Sequence, residues 1–136
     1  MIDDATAASL RARAREAAAN AYVPYSRFPV GAALLTEDGT VVAGANVENA
    51  SFGLTCCAER TAVFSAAAAG HRVVVAIAVT APRVETVTPC GACRQVLNEF
   101  KPADRDMLVL LDGPEQAVVP LADLLPRAFG PRDLEE

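Results

Sequence analysis

Apolar residues recur along the chain in two patterns, one helical and one extended. Between residues 6 and 20 they stand three or four positions apart among Ala, Arg and Glu, which predicts an amphipathic helix. Elsewhere they form short, nearly unbroken runs rich in Val, as buried strands do. The run at 73–80 predicts a central strand that is covered on both faces.

Turn and helix-end signals separate these runs into nine predicted elements. Glu-Asp-Gly at 37–39 predicts a hairpin turn, Gly70 ends a helix, and Pro89 begins one at a position where a missing N–H costs nothing. The predicted helices are 6–20, 56–69, 89–100 and 121–125, and the predicted strands are 30–35, 41–45, 73–80, 107–111 and 117–119. This order predicts an α/β fold in a single domain, residues 1–136, with three α-β-α layers around one mixed five-stranded sheet.

The composition adds an expectation about assembly. Apolar residues make up 52% of the chain, and the mean hydropathy of +0.25 is high for a small monomer. No apolar run is long enough to cross a bilayer, so we expect no membrane association. The surplus apolar surface therefore predicts contacts between subunits.

The charge argues against a nucleic-acid partner. The net charge is −5, the isoelectric point is about 4.9, and aromatic residues are only 5% of the chain. Proteins that grip polynucleotides usually present a basic face and stacking aromatics, so we expect a small-molecule substrate. The acidic N-terminus lacks a signal-peptide pattern, which predicts a cytoplasmic protein whose cysteines bind metal rather than form disulfides.

Four cysteines and one carboxylate form the most informative motif. Cys56 and Cys57 precede Glu59 at the start of one predicted helix, and Cys90 and Cys93 lie at the start of another. Thiolates bind zinc, and three of them leave a fourth position open for water, as in catalytic sites. Consecutive helical residues point about 100° apart, so the spacing allows either residue 56 or residue 57, but not both, as the third ligand.

Thr-Cys-Cys-Ala-Glu-Arg at 55–60 and Pro-Cys-Gly-Ala-Cys at 89–93 resemble the paired zinc motifs of the cytidine deaminase family. The resemblance extends over nearly the whole chain and is to the small, free-nucleoside branch with three cysteine ligands. The segments 24–33, 46–50 and 124–130 look like that branch's first strand, its ribose loop and its C-terminal segment. One departure is Phe52, where many relatives carry Tyr.

The resemblance implies specific roles for the cysteines and for the carboxylate. It implies that Cys57, Cys90 and Cys93 hold Zn²⁺ and that Glu59 shuttles protons, which leaves Cys56 packed near the site. Three thiolates on one divalent cation give a negative centre. Helix N-termini can offset that charge, and so can Arg60 and Arg94, which in this branch are credited with hydrogen bonds to sulfur.

The resemblance also implies which residues bind substrate. These are Phe28 against the base, Asn46 and Glu48 at the ribose hydroxyls, Ala58 within the pocket, and Phe129 reaching into the pocket of a neighbouring subunit. The expected reaction is zinc-dependent hydrolytic deamination of cytidine and 2′-deoxycytidine in pyrimidine salvage, by a homotetramer. Two alternatives remain: a deaminase of another aminopyrimidine nucleoside or nucleoside antibiotic, and a non-catalytic zinc module, which would have no use for the carboxylate at 59.

Overall fold

The computed structural model describes residues 2–135, and its elements follow the predicted order. The helices are α1 (Asp4–Ala18), α2 (Ala58–Ala68), α3 (Gly91–Glu99) and α4 (Leu121–Leu124). The strands are β1 (Gly31–Thr36), β2 (Val41–Ala45), β3 (Val74–Thr80), β4 (Leu108–Leu111) and β5 (Ala117–Pro120). Two short 3₁₀ helices, Phe52–Leu54 and Pro131–Leu134, complete the fold.

The five strands form one mixed sheet in the order β2-β1-β3-β4-β5. Only β3 and β4 pair in parallel among these strands, and the other three pairings are antiparallel. Parallel neighbours need a crossover connection, and here it is α3. The start of α3 therefore follows the carboxyl end of β3, the edge where α/β folds commonly place their sites.

α1 covers one face of the sheet. Asp3 caps its first turn by accepting a hydrogen bond from the backbone N–H of Thr6 at 2.7 Å. Leu10 and Ala14 are buried against the strands. Gly31 of β1 lies so close that an added Cβ would stand 1.9 Å from the carbonyl oxygen of Ala14, so a side chain there would push the helix off the sheet.

α2 and α3 cover the opposite face, over the larger part of the core. That core is built from small and branched residues of all three layers, including Ala32, Leu34, Ala62, Val63, Ile77, Val79, Leu97 and Val109. Gly44 of β2 lets the backbone of α2 approach the edge strand. The predicted three-layer α-β-α arrangement is confirmed. No helix within the described residues has the length and apolar content to span a bilayer.

Candidate active site

Two helix N-termini bring the cysteines together. Cys90 is the N-cap of α3 and Cys93 lies buried in its first turn. Cys57 is the N-cap of α2, and two residues later Glu59 is only 4% exposed. Because the dipole of each helix is positive at this end, both N-termini favour negatively charged ligands.

The three sulfur atoms have the spacing of a metal site. The Sγ atoms of Cys57, Cys90 and Cys93 all lie within 4.8 Å of one another. Those of Cys57 and Cys90 are 3.8 Å apart. Tetrahedral zinc with Zn–S bonds of about 2.3 Å places its sulfurs about 3.8 Å apart. The donor set and its geometry therefore fit Zn²⁺ with three protein ligands, as predicted from the resemblance.

Cys56 lies outside this cluster because of how the backbone runs. The helix predicted from residue 56 begins instead at Ala58, and Cys56 is extended. Its N–H and C=O both pair with Val47, at 2.9 and 3.0 Å. Side chains alternate between faces in paired extended segments, so residue 57 shares a face with Asn46 and Glu48, while residue 56 points the other way.

Arg60 supports the cluster from the first turn of α2. Its NH2 atom donates to Sγ of Cys57 at 3.2 Å. Its Nε is buried and has no hydrogen-bond partner among the described residues. The guanidinium therefore places positive charge directly beside a thiolate ligand, which offsets part of the negative charge of three sulfurs.

Arg94 is placed differently from the expectation. Its guanidinium donates to three oxygens: the carbonyl of Pro89 at 2.7 Å, the carbonyl of Leu124 at 2.8 Å and the hydroxyl of Thr88 at 3.2 Å. In residues 2–135 its hydrogen bonds thus go to oxygen rather than to sulfur. The planar guanidinium can donate to several oxygen atoms at once, and oxygen is a stronger hydrogen-bond acceptor than a thiol sulfur. Arg94 fixes the backbone just before Cys90.

The thiols and the carboxylate have displaced pKa values. The pKa of Cys57 is lowered to about 5, first by a hydrogen bond from Cys93 and further, against the effect of burial, by Arg60. The same thiol contact, together with burial, raises the pKa of Cys93 well above its usual range. Burial is the main cause of a raised pKa at Glu59. A carboxyl group that can hold a proton therefore lies beside thiols that can bind metal.

Asn46 and Glu48 both face the loop that runs from Tyr25 to Val30, here named the 25–30 loop. Oδ1 of Asn46 accepts from the N–H of Val30 and its Nδ2 donates to the carbonyl of Phe28, both at 2.9 Å. Glu48 accepts from the N–H groups of Tyr25 and Ser26, each at 3.0 Å. The two residues predicted at the ribose thus also hold this loop in place.

The remaining predicted contact residues differ in how far they are exposed. Ala58 is fully buried as the first residue of α2, and Phe28 is half-buried. Phe52 is 74% exposed and makes an edge-to-face contact with Tyr25, with ring centroids 5.8 Å apart. Phe129 is 60% exposed, and its carbonyl oxygen accepts hydrogen bonds from Gln95 at 2.9 Å and Asn98 at 3.3 Å.

An open cavity lies beside Glu48. It measures about 360 Å³, and its lining residues are Tyr25, Ser26, Glu48, Phe52 and Thr55. Of these, Ser26 makes contacts that sequence reasoning missed: its hydroxyl donates to Glu48 and accepts the backbone N–H of Phe28. A Ser two positions before a predicted contact residue often bonds the local backbone in a turn, and that signal could have identified it.

Comparisons with known proteins agree with this geometry. The family model for the cytidine and deoxycytidylate deaminase zinc-binding region matches residues 5–109. Cytidine deaminase from Halalkalibacterium halodurans is 56% identical over 122 residues, which cover 89% of this chain and 92% of that protein. Cytidine deaminase from Mycobacterium tuberculosis is 50% identical over 125 residues, covering 92% and 90%.

Solved structures show the same fold. The crystal structure of cytidine deaminase from Burkholderia pseudomallei matches with a TM-score of 0.83 and 49% identity, covering 90% of this chain and 98% of that one. The structure from Mycobacterium tuberculosis matches with a TM-score of 0.81 and 46% identity, covering 95% and 99%. The chain is therefore a zinc-binding α/β protein, and it belongs to the cytidine and deoxycytidylate deaminase family.

Proposed function

We propose that this protein is a zinc-dependent enzyme that hydrolyses cytidine and 2′-deoxycytidine to uridine and 2′-deoxyuridine, with release of ammonia. The observation that carries the proposal is the buried carboxylate of Glu59, two residues from one member of a three-thiol cluster. A purely structural zinc site does not need that carboxylate. The relatives named cytidine deaminase support the choice of substrate.

The reaction adds water to C4 of the pyrimidine and expels the amine, so its catalyst must move protons. Zinc, when bound by the three cysteines, lowers the pKa of water at the open fourth position. Glu59 accepts a proton from the attacking water and delivers it to N3 of the ring. It then passes the second proton of that water to the departing amine, which leaves as ammonia. The raised pKa of Glu59 suits a group that must hold a proton between these steps.

We propose that the base and the sugar of the substrate contact different residues of the site. Phe28 packs on the base, and Ala58, at the N-terminus of α2, contributes pocket wall and a backbone N–H. Glu48 and Asn46 contact sugar hydroxyls. The carboxylate of Glu48 would repel a phosphate, which favours a nucleoside over a nucleotide.

The test is direct. Purified zinc-loaded protein is mixed with cytidine, and the loss of cytidine absorbance is followed together with ammonia release. Equal molar amounts of uridine and ammonia are expected, with no product from a sample lacking enzyme. Folded, zinc-bound protein that leaves cytidine and 2′-deoxycytidine unchanged would instead identify a non-catalytic zinc module.

We further propose that the working form is a cytoplasmic homotetramer of single-domain chains, with no nucleic-acid or membrane partner. Support comes from aromatic and aliphatic side chains that stay exposed in the isolated chain, among them Phe52, Leu54, Phe64 and Phe129. Such side chains are commonly buried by subunit contacts. The acidic balance of charges is in keeping with the absence of a nucleic-acid partner.

A further inference from the structure

The carboxylate of Glu48 has most of its hydrogen-bonding capacity filled by its own chain. Oε1 accepts two backbone N–H groups, from Tyr25 and Ser26, each at 3.0 Å. Oε2 accepts the hydroxyl of Ser26. A carboxylate offers about four acceptor directions, so these three contacts leave one, on Oε2. Glu48 lines the open cavity, where a ligand can reach its carboxylate.

The hydroxyl of Ser26 determines where that remaining direction points. Besides donating to Glu48, its Oγ accepts the backbone N–H of Phe28 at 3.1 Å. Its position is therefore fixed by the turn of the 25–30 loop, and with it the orientation of Oε2. Of the causes that lower the pKa of Glu48, the hydrogen bond from Ser26 is the largest, so this carboxylate stays ionised as an acceptor.

One serine thus connects two elements of the proposed pocket. Phe28 is the proposed contact of the base, and Glu48 is the proposed contact of the sugar. The last torsion of a Glu side chain is broad, so its oxygens take a defined orientation only when donors hold them. Two N–H groups hold Oε1, and among the described contacts only Ser26 holds Oε2.

We propose that Ser26 is a positioning residue that aims the remaining acceptor direction of Glu48 at a single ring hydroxyl, 2′ or 3′, of the nucleoside sugar. This inference rests on the proposed function, because it concerns the sugar of the same substrate. Ser26 does not contact the reacting atoms. Its loss should therefore weaken recognition of the sugar and leave the chemical step alone.

The experiment compares two substrates on wild type and on two variants at residue 26. Wild type, Ser26→Ala and Ser26→Thr are assayed with cytidine and with 2′,3′-dideoxycytidine, which lacks both ring hydroxyls. Ser26→Ala should raise the KM for cytidine about tenfold and change kcat less than about twofold, the loss expected for one hydrogen bond to a charged group. With the dideoxy compound, KM, or the inhibition constant if turnover is slow, should not change.

Two controls separate positioning from general damage. Ser26→Thr keeps a hydroxyl and should restore the wild-type KM, and Ser51→Ala, in an exposed part of the 46–57 segment, should match wild type on both substrates. In a Glu48→Ala background, Ser26→Ala should add no further loss for cytidine, because the group it positions is gone.

The outcomes distinguish a failure of the proposed deaminase activity from a failure of the positioning role of Ser26. Wild type that converts neither substrate overturns the proposed deaminase activity itself. Active wild type with an unchanged cytidine KM in Ser26→Ala overturns the positioning role alone. An equal rise for both substrates, or an additive loss in the double variant, also overturns it, because Ser26 would then act through the fold or the base.

Discussion

At the scale of single residues, neighbours in sequence have unlike roles because the backbone turns between them. Cys56 pairs with Val47 in an extended bridge, whereas Cys57 caps α2 and faces the other thiols. Sequence reasoning expected both at a helix start, with side chains about 100° apart. The structure puts the two side chains on opposite faces of an extended segment, so their directions differ by more than the 100° expected in a helix. The choice of residue 57 came from family resemblance rather than from spacing.

The ligand assignment can be tested by exchanging sulfur for oxygen at two cysteines. Cys90→Ser should lose zinc and activity together, because a neutral hydroxyl is a poor replacement for a thiolate ligand. Cys56→Ser should keep both, since this side chain points away from the cluster. Metal analysis of each purified variant gives the zinc content. Loss of zinc from Cys56→Ser would show that the assignment is wrong.

Glu59 offers a test of the chemistry at nearly constant shape. Glu59→Gln keeps the size of the buried side chain but cannot carry a proton between water, ring and amine. We expect it to retain zinc and cytidine binding and to lose at least about 100-fold in kcat, the usual scale for a positioned acid–base group. Steady-state kinetics and zinc analysis check this together, and near-normal turnover would remove Glu59 from the mechanism.

At the scale of elements, local sequence patterns predicted the helices and strands well, but they did not predict the contacts between residues that are distant in sequence. The strand predicted at 73–80 was placed to within one residue, and the helix predicted at 89–100 begins two residues later, at Gly91, because Cys90 is its N-cap. The start of α2 was predicted two residues early, because the bridge to Val47 is a long-range contact. Arg94 was expected at sulfur, but it binds the carbonyl of Leu124, thirty residues away, which no local pattern reveals.

Asp112 shows how such a long-range contact joins elements. It follows β4 and is 6% exposed. Its carboxylate accepts two bonds from Arg15 of α1, at 2.6 and 2.8 Å, one from Thr80 at 2.9 Å and one from Gln116 at 3.1 Å. Burial alone would raise the pKa of Asp112, but these donors outweigh it and lower the pKa from 3.8 to about 2.

We therefore expect Asp112→Asn to destabilise the fold in a pH-dependent way. A carboxylate with a lowered folded-state pKa stabilises the fold above its unfolded pKa, by about 2 kcal/mol here, and loses that stabilisation as pH falls from about 4 to about 2. Urea unfolding should show the full deficit at neutral pH and a shrinking one below about pH 4. Glu16→Gln, which breaks only the exposed pair with Arg13, is the control and should change little.

At the scale of the whole molecule, the isolated chain leaves several large aromatic side chains exposed. The backbone carbonyl of Phe129 accepts hydrogen bonds from Gln95 and Asn98, and the residue is 60% exposed. A large ring held in a fixed, exposed position is well suited to enter a neighbouring chain. The 25–30 loop and Phe52 present further exposed aromatic surface beside the open cavity.

We predict that Phe129 serves the pocket of another subunit. Light scattering should give four times the 14.2 kDa chain mass, and Phe129→Ala should raise the KM for cytidine several-fold without loss of zinc. Co-expressed Phe129→Ala and Glu59→Gln chains supply the sharper test. Where a chain with intact Glu59 receives Phe129 from its neighbour, a site with both wild-type kcat and wild-type KM should reappear, although neither variant alone combines the two. An active 14.2 kDa monomer, or mixed assemblies that keep the raised KM, would show instead that each pocket is built from one chain.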